Sequence, residues 1–256
     1  LSGISYIQHQ RKFEDKIPFY YHKYLNYPTK YIAISEAIKS NLKFRLGISE
    51  NKIKLIHNWI NLGLNDKYPK NIKSKNGLNI LWMGRIIPWK GIDILIDLST
   101  ALINRNITNF KFQIYGDFMD KDYKNKIFNT IAKSELNNYF NFNGFDNLKN
   151  IFSNYYSCFI HTSKQPEPFG RTIIESMNYN VPVIATNAGG VLDIIEDNYN
   201  GFLYNPVNIE DLVNKINLLE NKVIRNRIIK NADKTIINKF GGKTQVKEFE
   251  EIYKNL

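Results

Sequence analysis

From residue 77 onwards the chain alternates short apolar runs with longer segments whose apolar residues recur at helical spacing. The apolar runs lie at residues 78–84, 110–116, 139–144, 157–163, 182–186 and 201–204. Several are apolar throughout, which is typical of strands that are buried on both faces of a sheet. Strands that alternate with helices predict a mostly parallel sheet with helices on both faces, and we therefore expect an α/β fold.

The predicted helices lie between these runs. In the first of them the apolar residues fall at helical spacing: Ile92, Leu95, Ile96, Leu102 and Ile103. Further helices are predicted near residues 121–133, 146–154, 170–179, 190–196 and 208–219. Two amphipathic helices, divided by Gly241 and Gly242, follow them.

A shorter pattern of the same kind precedes residue 77. A strand at residues 31–35 leads into a helix, for which Ser35 is the expected N-cap and Gly47 the expected stop. Another strand is expected at residues 53–57, and the polar segment 65–77 is the best candidate for a linker. This strand–helix–strand unit is too small for a sizeable core of its own. We therefore divide the chain into three predicted parts: this unit with the linker at residues 1–76, the large α/β domain at residues 77–240, and a C-terminal helix at residues 241–256.

The charge balance of the chain is strongly basic. Its 256 residues include 35 Lys and Arg against 24 Asp and Glu, a formal net charge of +11. This excess favours anionic partners, among them phosphorylated ligands and an anionic membrane surface that would be contacted peripherally. The basic residues are dispersed without a recognisable nucleic-acid-binding motif, so we expect no nucleic-acid partner.

No apolar run has the length of a membrane-spanning helix. The only cysteine, Cys158, is expected to be a buried apolar residue of a cytoplasmic protein.

A glycine and two cations follow the first strand of the large domain. Gly84 ends this strand, Arg85 comes next, and Lys90 stands where a helix is expected to begin. Ligands of open α/β sheets bind outside the carboxyl ends of the strands, and a helix N-terminus at that place favours an anion. The planar fork of an arginine and the point charge of a lysine together suit a diphosphate. The alternative is a turn with two solvated cations.

Two acids eight residues apart follow the 157–163 strand. Glu167 lies in the loop after the strand, and Glu175 lies inside the helix that begins near Gly170. Carboxylates accept hydrogen bonds from vicinal hydroxyls, so each acid is a candidate to hold a ribose or a hexose. The amides of Phe169, Gly170 and Arg171 have no partner inside the helix and are available to a phosphate or sugar oxygen.

Weaker signals follow other strands of the same predicted sheet. Asn187 to Gly190 includes two glycines that allow a close approach of the backbone. Residues 143–145 follow the segment YFNF, where backbone groups are placed to read a base edge, and Gly116 and Asp117 follow the segment FKFQIY. All of these positions lie at carboxyl ends of consecutive strands, so together they predict one ligand site at that end of the sheet.

These segments resemble the retaining glycosyltransferases of family 4, which have the GT-B fold. The matching segments are GRIIPWKGID, IYGD, FNGF, EPFGRTIIE, PVIATNAGG and NGFLY, in that order. YIAISEAIKSNL and IKLIHNWIN resemble the end of the family's N-terminal domain, although Trp59 stands where the family commonly has glycine. EFEEIYKNL resembles the helix that crosses back onto that domain. The resemblance implies a GT-B-type, Rossmann-like parallel-sheet domain with a truncated remnant of a second α/β domain.

The resemblance also implies which residues bind a nucleoside diphosphate sugar as the donor. Arg85 and Lys90 would bind the diphosphate, and Glu175 would hold the ribose. The other residues of the implied donor-binding set are Gly84, Gly116, Asn143, Gly144, Phe145, Phe169, Gly170, Arg171 and Thr172, with Asn143 to Phe145 lining the base. Glu167 would sit beside the transferred sugar, and His9, at the end of a strand-like segment, would face it. Glu167 and His9 are therefore the implied catalytic candidates.

The reaction that the resemblance implies is the transfer of a hexose to a hydroxyl of a saccharide or glycolipid acceptor, with the anomeric configuration retained. No cofactor and no metal are expected, since the sequence has neither a DxD-like pair in a suitable loop nor a His/Cys cluster. Two alternatives stay open. One is a truncated module that binds a nucleotide sugar without transferring it, and the other is a GT-B epimerase or phosphorylase.

Overall fold

Two parallel sheets organise the part of the chain that the structure, a computed structural model, describes: residues 7–14, 28–62 and 77–255. The smaller sheet contains, in this order, β1 (Ile7–Gln10), β2 (Lys30–Ala33) and β3 (Ile53–Leu55). The larger sheet is built from β4 (Leu78–Met83), β5 (Phe110–Tyr115), β6 (Phe140–Gly144), β7 (Cys158–His161), β8 (Val183–Thr186) and β9 (Phe202–Tyr204). Neighbouring strands are parallel in both sheets, which confirms the predicted α/β class.

The strand order of the larger sheet determines where a ligand can bind. From edge to edge the strands run β6-β5-β4-β7-β8-β9. Counted from β4, this is the doubly wound order of Rossmann-like folds, and it reverses between β4 and β7. Such sheets bind ligands in the crevice at the carboxyl ends of the strands where the order reverses. The loops after β4 and β7, which carry Arg85, Lys90 and Glu167, therefore lie at this crevice.

The described α-helices are α1 (Glu36–Ser40), α2 (Ile94–Asn104), α3 (Lys121–Lys133), α4 (Leu148–Ile151), α5 (Arg171–Asn178), α6 (Ile209–Leu218), α7 (Lys222–Lys239) and α8 (Lys243–Lys254). The predicted cap of α1 is confirmed, because the Ser35 Oγ accepts a hydrogen bond from the Ile38 amide at 3.1 Å. Beyond α1 the chain continues as a π-helix, Asn41–Arg45. This wider turn keeps Leu42 and Ile48 buried and joins the Ile48 amide to the Leu42 carbonyl at 3.0 Å.

Two further expectations have different outcomes. The segment predicted as a helix at residues 190–196 forms only a 3-10 turn, Gly190–Asp193. Its first amide, that of Gly190, donates to the Glu167 carbonyl at 2.7 Å, so the backbone here is committed to the neighbouring loop. The predicted linker at residues 65–77 lies outside the described residues apart from Gly77.

Successive residues of β4 point into two different cores. Ile80 and Trp82 pack in a cluster with α2, α3 and α6, whereas Leu81 and Met83 pack in a cluster with α5 and α7. This strand is therefore buried on both faces, as its continuous apolar run predicts. The second cluster also contains Tyr31 of β2, so the smaller sheet shares a core with one face of the larger one. A helix with both the length and the apolar character to cross a bilayer does not occur in the described ranges.

Helix α8 lies against the N-terminal strands. The Phe249 ring stacks on the His9 imidazole with a centroid distance of 5.2 Å and an interplanar angle of 10°. The Trp59 ring lies 5.7 Å from the same phenyl ring. A salt bridge joins Lys54 Nζ to Glu248 Oε1 at 3.8 Å. Helix α8 is thus in contact with β1, with β3 and with the segment that follows β3.

Candidate functional site

A cleft of about 270 Å³ opens at the carboxyl ends of β4 and β5, beside the reversal point of the larger sheet. Its lining includes predicted ligand residues: Gly84, Arg85, Gly116, Phe145, Thr172 and Glu175. Asp117, which follows Gly116 in the matched segment IYGD, also lines the cleft. The rest of the lining is Met83, Tyr115, Met119, Asp146, Leu148 and Ile151, which sequence reasoning did not single out. The cleft thus combines an arginine and a buried glutamate with apolar side chains, a composition typical of small-ligand sites.

Two glycines form the floor of this cleft. Gly84 and Gly116 have φ values of +151° and +136°, which L-residues with a side chain rarely adopt. A Cβ atom on Gly116 would lie 1.9 Å from the Gly84 carbonyl oxygen. The Gly84 amide donates to the Tyr115 carbonyl at 3.0 Å, and the Gly116 amide donates to the Gly144 carbonyl at 2.8 Å. The ends of β4, β5 and β6 are therefore joined by backbone contacts that need glycine.

Glu175 reaches the cleft from α5 and is largely buried there. Its side chain is 11% exposed, and Arg171 Nε donates to its Oε1 atom at 2.9 Å. Burial raises the pKa of the Glu175 carboxyl, although the charge of Arg171 and this hydrogen bond act in the opposite direction. A carboxylate held in a nearly dry position is a strong acceptor for the hydroxyls of a ligand that enters the cleft.

Because the pKa of Glu175 is raised by folding, its ionised form costs stability. The folded state favours the protonated carboxyl, so stability falls as the pH rises from the unfolded value of 4.5 through the folded pKa. We expect Glu175→Gln to increase the free energy of unfolding at pH 7 by about 1 kcal/mol, and to leave it nearly unchanged at pH 4. Denaturant titrations at both pH values test this. Equal effects at pH 4 and pH 7 would contradict it.

A second group of polar residues surrounds Glu167 in the loop after β7. Lys90 Nζ forms a salt bridge with the Oε2 atom of Glu167. Ser163 Oγ donates to the same oxygen at 3.1 Å, and His161 Nε2 lies 3.3 Å from it. The side chains of Lys90 and Glu167 are only 17% and 12% exposed. The structure therefore joins the predicted cation of the β4 loop and the predicted acid of the β7 loop in one buried pair.

The charge state of Glu167 follows from these neighbours. Burial alone would raise the pKa of its carboxyl, but the hydrogen bond from His161 and the positive charge of Lys90 outweigh it and lower the pKa to about 2. Glu167 is thus ionised at neutral pH, and its charge is balanced by Lys90. Its stabilising contribution is complete above pH 4.5 and is lost as the pH falls towards 2.

The loop that carries Lys90 is held against β7 by hydrogen bonds. Thr162 Oγ1 donates to the Lys90 carbonyl at 2.7 Å and accepts from Trp82 Nε1 at 2.8 Å. The Lys164 amide donates to the Trp89 carbonyl at 2.8 Å. These bonds fix the position of the Lys90 backbone across the point where the strand order reverses.

Helix α5 begins at Arg171, four residues after Glu167. Gly170 is its N-cap and has a φ of +108°, and Phe169 before it is buried against the Phe240 ring at a centroid distance of 5.8 Å. The first amides of a helix have no intrahelical acceptor. In the described ranges we see no protein acceptor for the Phe169 and Gly170 amides. They remain available to an anion beside Glu167.

Asn143 and His9 lie apart both from the first cleft and from the residues around Glu167. The Asn143 side chain is exposed, and its Nδ2 atom donates to Gln113 Oε1 at 3.2 Å rather than lining the cleft. His9 lines a second cleft of about 230 Å³ between the smaller sheet, α5 and α8, together with Arg11, Trp59 and Arg171. Burial, and then the charge of Arg11, lower the pKa of His9. Arg171 therefore stands between the two clefts, since it also pairs with Glu175.

Sequence reasoning missed the polar partners of Glu167. His161 and Ser163 contact Glu167 Oε2, and Thr186 contacts the His161 ring from β8. All three lie at or just after strand ends, in segments that the sequence predicts as apolar strands. The available signal was the spacing of His161 and Ser163, two residues apart at the end of a strand. In the described ranges no three His, Cys, Asp or Glu side chains come close enough together to hold a metal ion.

The fold and the crevice define a class of protein, namely a GT-B-type α/β protein with a Rossmann-like domain and a ligand site at its reversal point. The sequence profile of the family described as Glycosyl transferases group 1 matches residues 65–235, and the chain belongs to this family.

Similar proteins support this assignment. A glycosyltransferase of Methanocaldococcus jannaschii is 31% identical over 230 residues, which are 89% of this chain and 60% of that protein. The crystal structure of a glycosyltransferase from Rickettsia africae has a TM-score of 0.84 and 28% identity, over 97% of this chain and 70% of that one. The structure of Anabaena HepE in complex with UDP-glucose has a TM-score of 0.83 and 25% identity, over 98% and 72% of the two chains. The chain thus spans about 60% of the length of its archaeal relative.

Proposed function

We propose that this chain carries the donor-binding part of a retaining family 4 glycosyltransferase. This glycosyltransferase transfers a hexose from a nucleoside diphosphate sugar to a hydroxyl of a saccharide or glycolipid acceptor. The observation that carries the proposal is the placement of Arg85 and Glu175 on one cleft at the reversal point, with the buried Lys90–Glu167 pair joining the loops after β4 and β7. HepE, a similar protein, has been crystallised with UDP-glucose, so a UDP-hexose is the first donor to test.

In this proposal each part of the donor has its own part of the site. The base lies against Phe145 and Met119, which are 83% and 62% exposed at the mouth of the cleft. The ribose hydroxyls donate to the buried Glu175. The diphosphate lies near Arg85 and the first amides of α5, which offer donors suited to an anion.

The chemistry of the step follows from where charge develops. When the bond between the hexose and the diphosphate breaks, negative charge accumulates on the leaving diphosphate. Arg85, Lys90 and the α5 amides are already in place, so they stabilise this charge more in the transition state than in the ground state. Lys90 also neutralises Glu167 and thereby links the diphosphate side of the site to the sugar side. No step in this scheme requires a cofactor or a metal ion.

A similar protein and the net charge of this chain both indicate which class of acceptor to expect. A Staphylococcus aureus relative, 28% identical over 93% of this chain and 47% of its own length, is a poly(ribitol-phosphate) alpha-N-acetylglucosaminyltransferase. The net charge of +11 supports an acceptor carried at an anionic surface, such as a glycolipid in a membrane. We therefore propose a saccharide or glycolipid acceptor and a peripheral contact with an anionic membrane.

Calorimetry with uridine, UDP and GDP tests the donor class directly. We expect UDP to bind more tightly than uridine, and Arg85→Ala to weaken UDP binding about tenfold or more, because a hydrogen bond to a charged group is lost. The affinity for uridine should not change in the same variant, since Arg85 is assigned to the diphosphate. Absence of binding by every nucleoside diphosphate would overturn the proposal. Binding without transfer to any acceptor would favour the alternative of a module that only binds a nucleotide sugar.

A further inference from the structure

His161 is a buried titratable residue that the scheme above does not use. It is the last residue of β7 and is only 4% exposed. Its Nε2 atom lies 3.3 Å from Glu167 Oε2 and 3.1 Å from Ser163 Oγ. Its Nδ1 atom lies 3.3 Å from Thr186 Oγ1, on the neighbouring strand β8. Both ring nitrogens therefore have a polar partner.

These partners are compatible with only one of the two neutral tautomers of His161. Glu167 is an ionised carboxylate and can only accept, so Nε2 must carry the proton that faces it. Nδ1 is then unprotonated and accepts the hydroxyl proton of Thr186. Ser163 Oγ is a second acceptor that shares the Nε2 proton with Glu167, and it donates its own proton to Glu167. In the opposite tautomer the Nε2 lone pair would face a carboxylate oxygen without a proton between them.

Burial is the main influence that favours the neutral imidazole, while the two nearby charged groups oppose each other. Glu167 in the loop after β7 favours the imidazolium, and Lys90 in the loop after β4 opposes it. Burial acts most strongly of all and lowers the pKa of His161. On the β8 side the ring meets Thr186, which carries no charge.

The hydrogen bonds around Glu167 all converge on one of its two carboxylate oxygens. Lys90, Ser163 and His161 all contact Oε2, and in the described ranges no hydrogen bond reaches Oε1. We propose that His161, as the Nε2–H tautomer held by Thr186, is a positioning residue that fixes Oε2 and so presents Oε1 to the hydroxyls of the donor hexose. This inference rests on the proposed function, because it assumes that Glu167 faces the sugar.

The tautomer can be observed without any ligand. Long-range ¹H–¹⁵N correlation spectra of the ¹⁵N-labelled chain separate the two neutral tautomers and the imidazolium. The signals of His161 are assigned by their loss in His161→Gln. We expect the Nε2–H form at pH 7. An Nδ1–H tautomer or an imidazolium at that pH would overturn the inference, whatever the protein binds.

The positioning role predicts a loss that is specific to the sugar. We define the sugar increment as the ratio of the dissociation constants for UDP and UDP-glucose, measured by calorimetry. His161→Leu removes the donor to Glu167 and is expected to reduce this increment about tenfold, while the affinity for UDP stays within twofold. His161→Gln is the matched control, because its side-chain amide can again donate to Oε2, and we expect it to recover most of the increment.

The outcomes separate the two proposals. If the wild-type chain binds no nucleoside diphosphate, the proposed function itself fails. If it binds UDP-glucose more tightly than UDP and His161→Leu keeps the full increment, the positioning role is wrong and the proposed function stands. A wild-type chain that binds UDP and gains nothing from the hexose would also overturn the positioning role. If His161→Leu does not fold, Thr186→Val replaces it and is expected to lower the increment by disturbing the tautomer.

Discussion

Replacing Lys90 with alanine is expected to reduce donor turnover by the whole enzyme about 100- to 1000-fold, the usual loss when one preorganised contact to developing charge is removed. Lys90 is largely buried, lies in the same loop after β4 as Arg85, and forms a salt bridge with Glu167. On the proposed scheme its loss removes a positive charge from beside the anionic leaving group, and it also leaves the Glu167 carboxylate without its balancing cation. Both effects act on the chemical step, so kcat should fall more than the affinity for UDP.

Lys164 provides a matched control for this variant. It lies in the loop after β7, carries the same charge and forms a salt bridge with Asp93, but its side chain is 44% exposed. We expect Lys164→Ala to retain nearly all of the turnover, since exposed ion pairs contribute little. Rates of donor consumption and circular dichroism spectra of both variants are the required measurements. Wild-type turnover in a folded Lys90→Ala variant would exclude Lys90 from the diphosphate role.

Replacing Gly116 with alanine is expected to lower the free energy of unfolding by about 3 kcal/mol, at the upper end of the cost of overpacking. The new methyl group would lie 1.9 Å from the Gly84 carbonyl oxygen, so the ends of β4 and β5 would have to separate. Because both glycines form the floor of the first cleft, the same shift should also weaken UDP binding.

The Gly47→Ala variant is the control that separates the steric clash of a new methyl group from the strain of a backbone with positive φ. It also has a positive φ, +67°, but a Cβ atom there would meet no other atom within 4 Å. Gly47→Ala should therefore cost about 1 kcal/mol, the strain of a left-handed backbone alone, and should not change UDP binding. Denaturant unfolding of both variants provides the comparison. Equal losses of stability at the two positions would show that contact with Gly84 does not govern the effect.

Several structural features were predictable because they depend on local patterns. The strand β4 could be located since Ile80, Leu81 and Trp82 form a continuous apolar run, which requires burial on both faces. The cap at Ser35 was predictable from its position before a helical pattern. The position of Arg85 at the ligand-binding edge of the sheet was also predictable, because parallel strands present their carboxyl ends at one side of the sheet.

Other features could not be predicted because they depend on which distant segments meet. The sequence indicates that Lys90 and Glu167 both follow strands, but not that their side chains form one buried pair across the reversal point. The π-helix after α1 and the short turn at Gly190 depend on how Leu42 and the Glu167 carbonyl are held by other elements. Asn143 was predicted to line a base, and only the packing of β6 beside β5 directs its amide to Gln113.

The amino-acid sequence by itself determined the α/β class, the positions of the strands and the side of the sheet where ligand residues gather. These properties follow from apolar periodicity and from glycine, which act over a few neighbouring residues. Only the tertiary structure decided the strand order, the hydrogen bonds from His161 and Ser163 to one oxygen of Glu167, and the placement of Arg171 between the two clefts. The physical reason is that burial and charge pairing act between segments far apart in the chain, and their partners exist only once the sheets have packed.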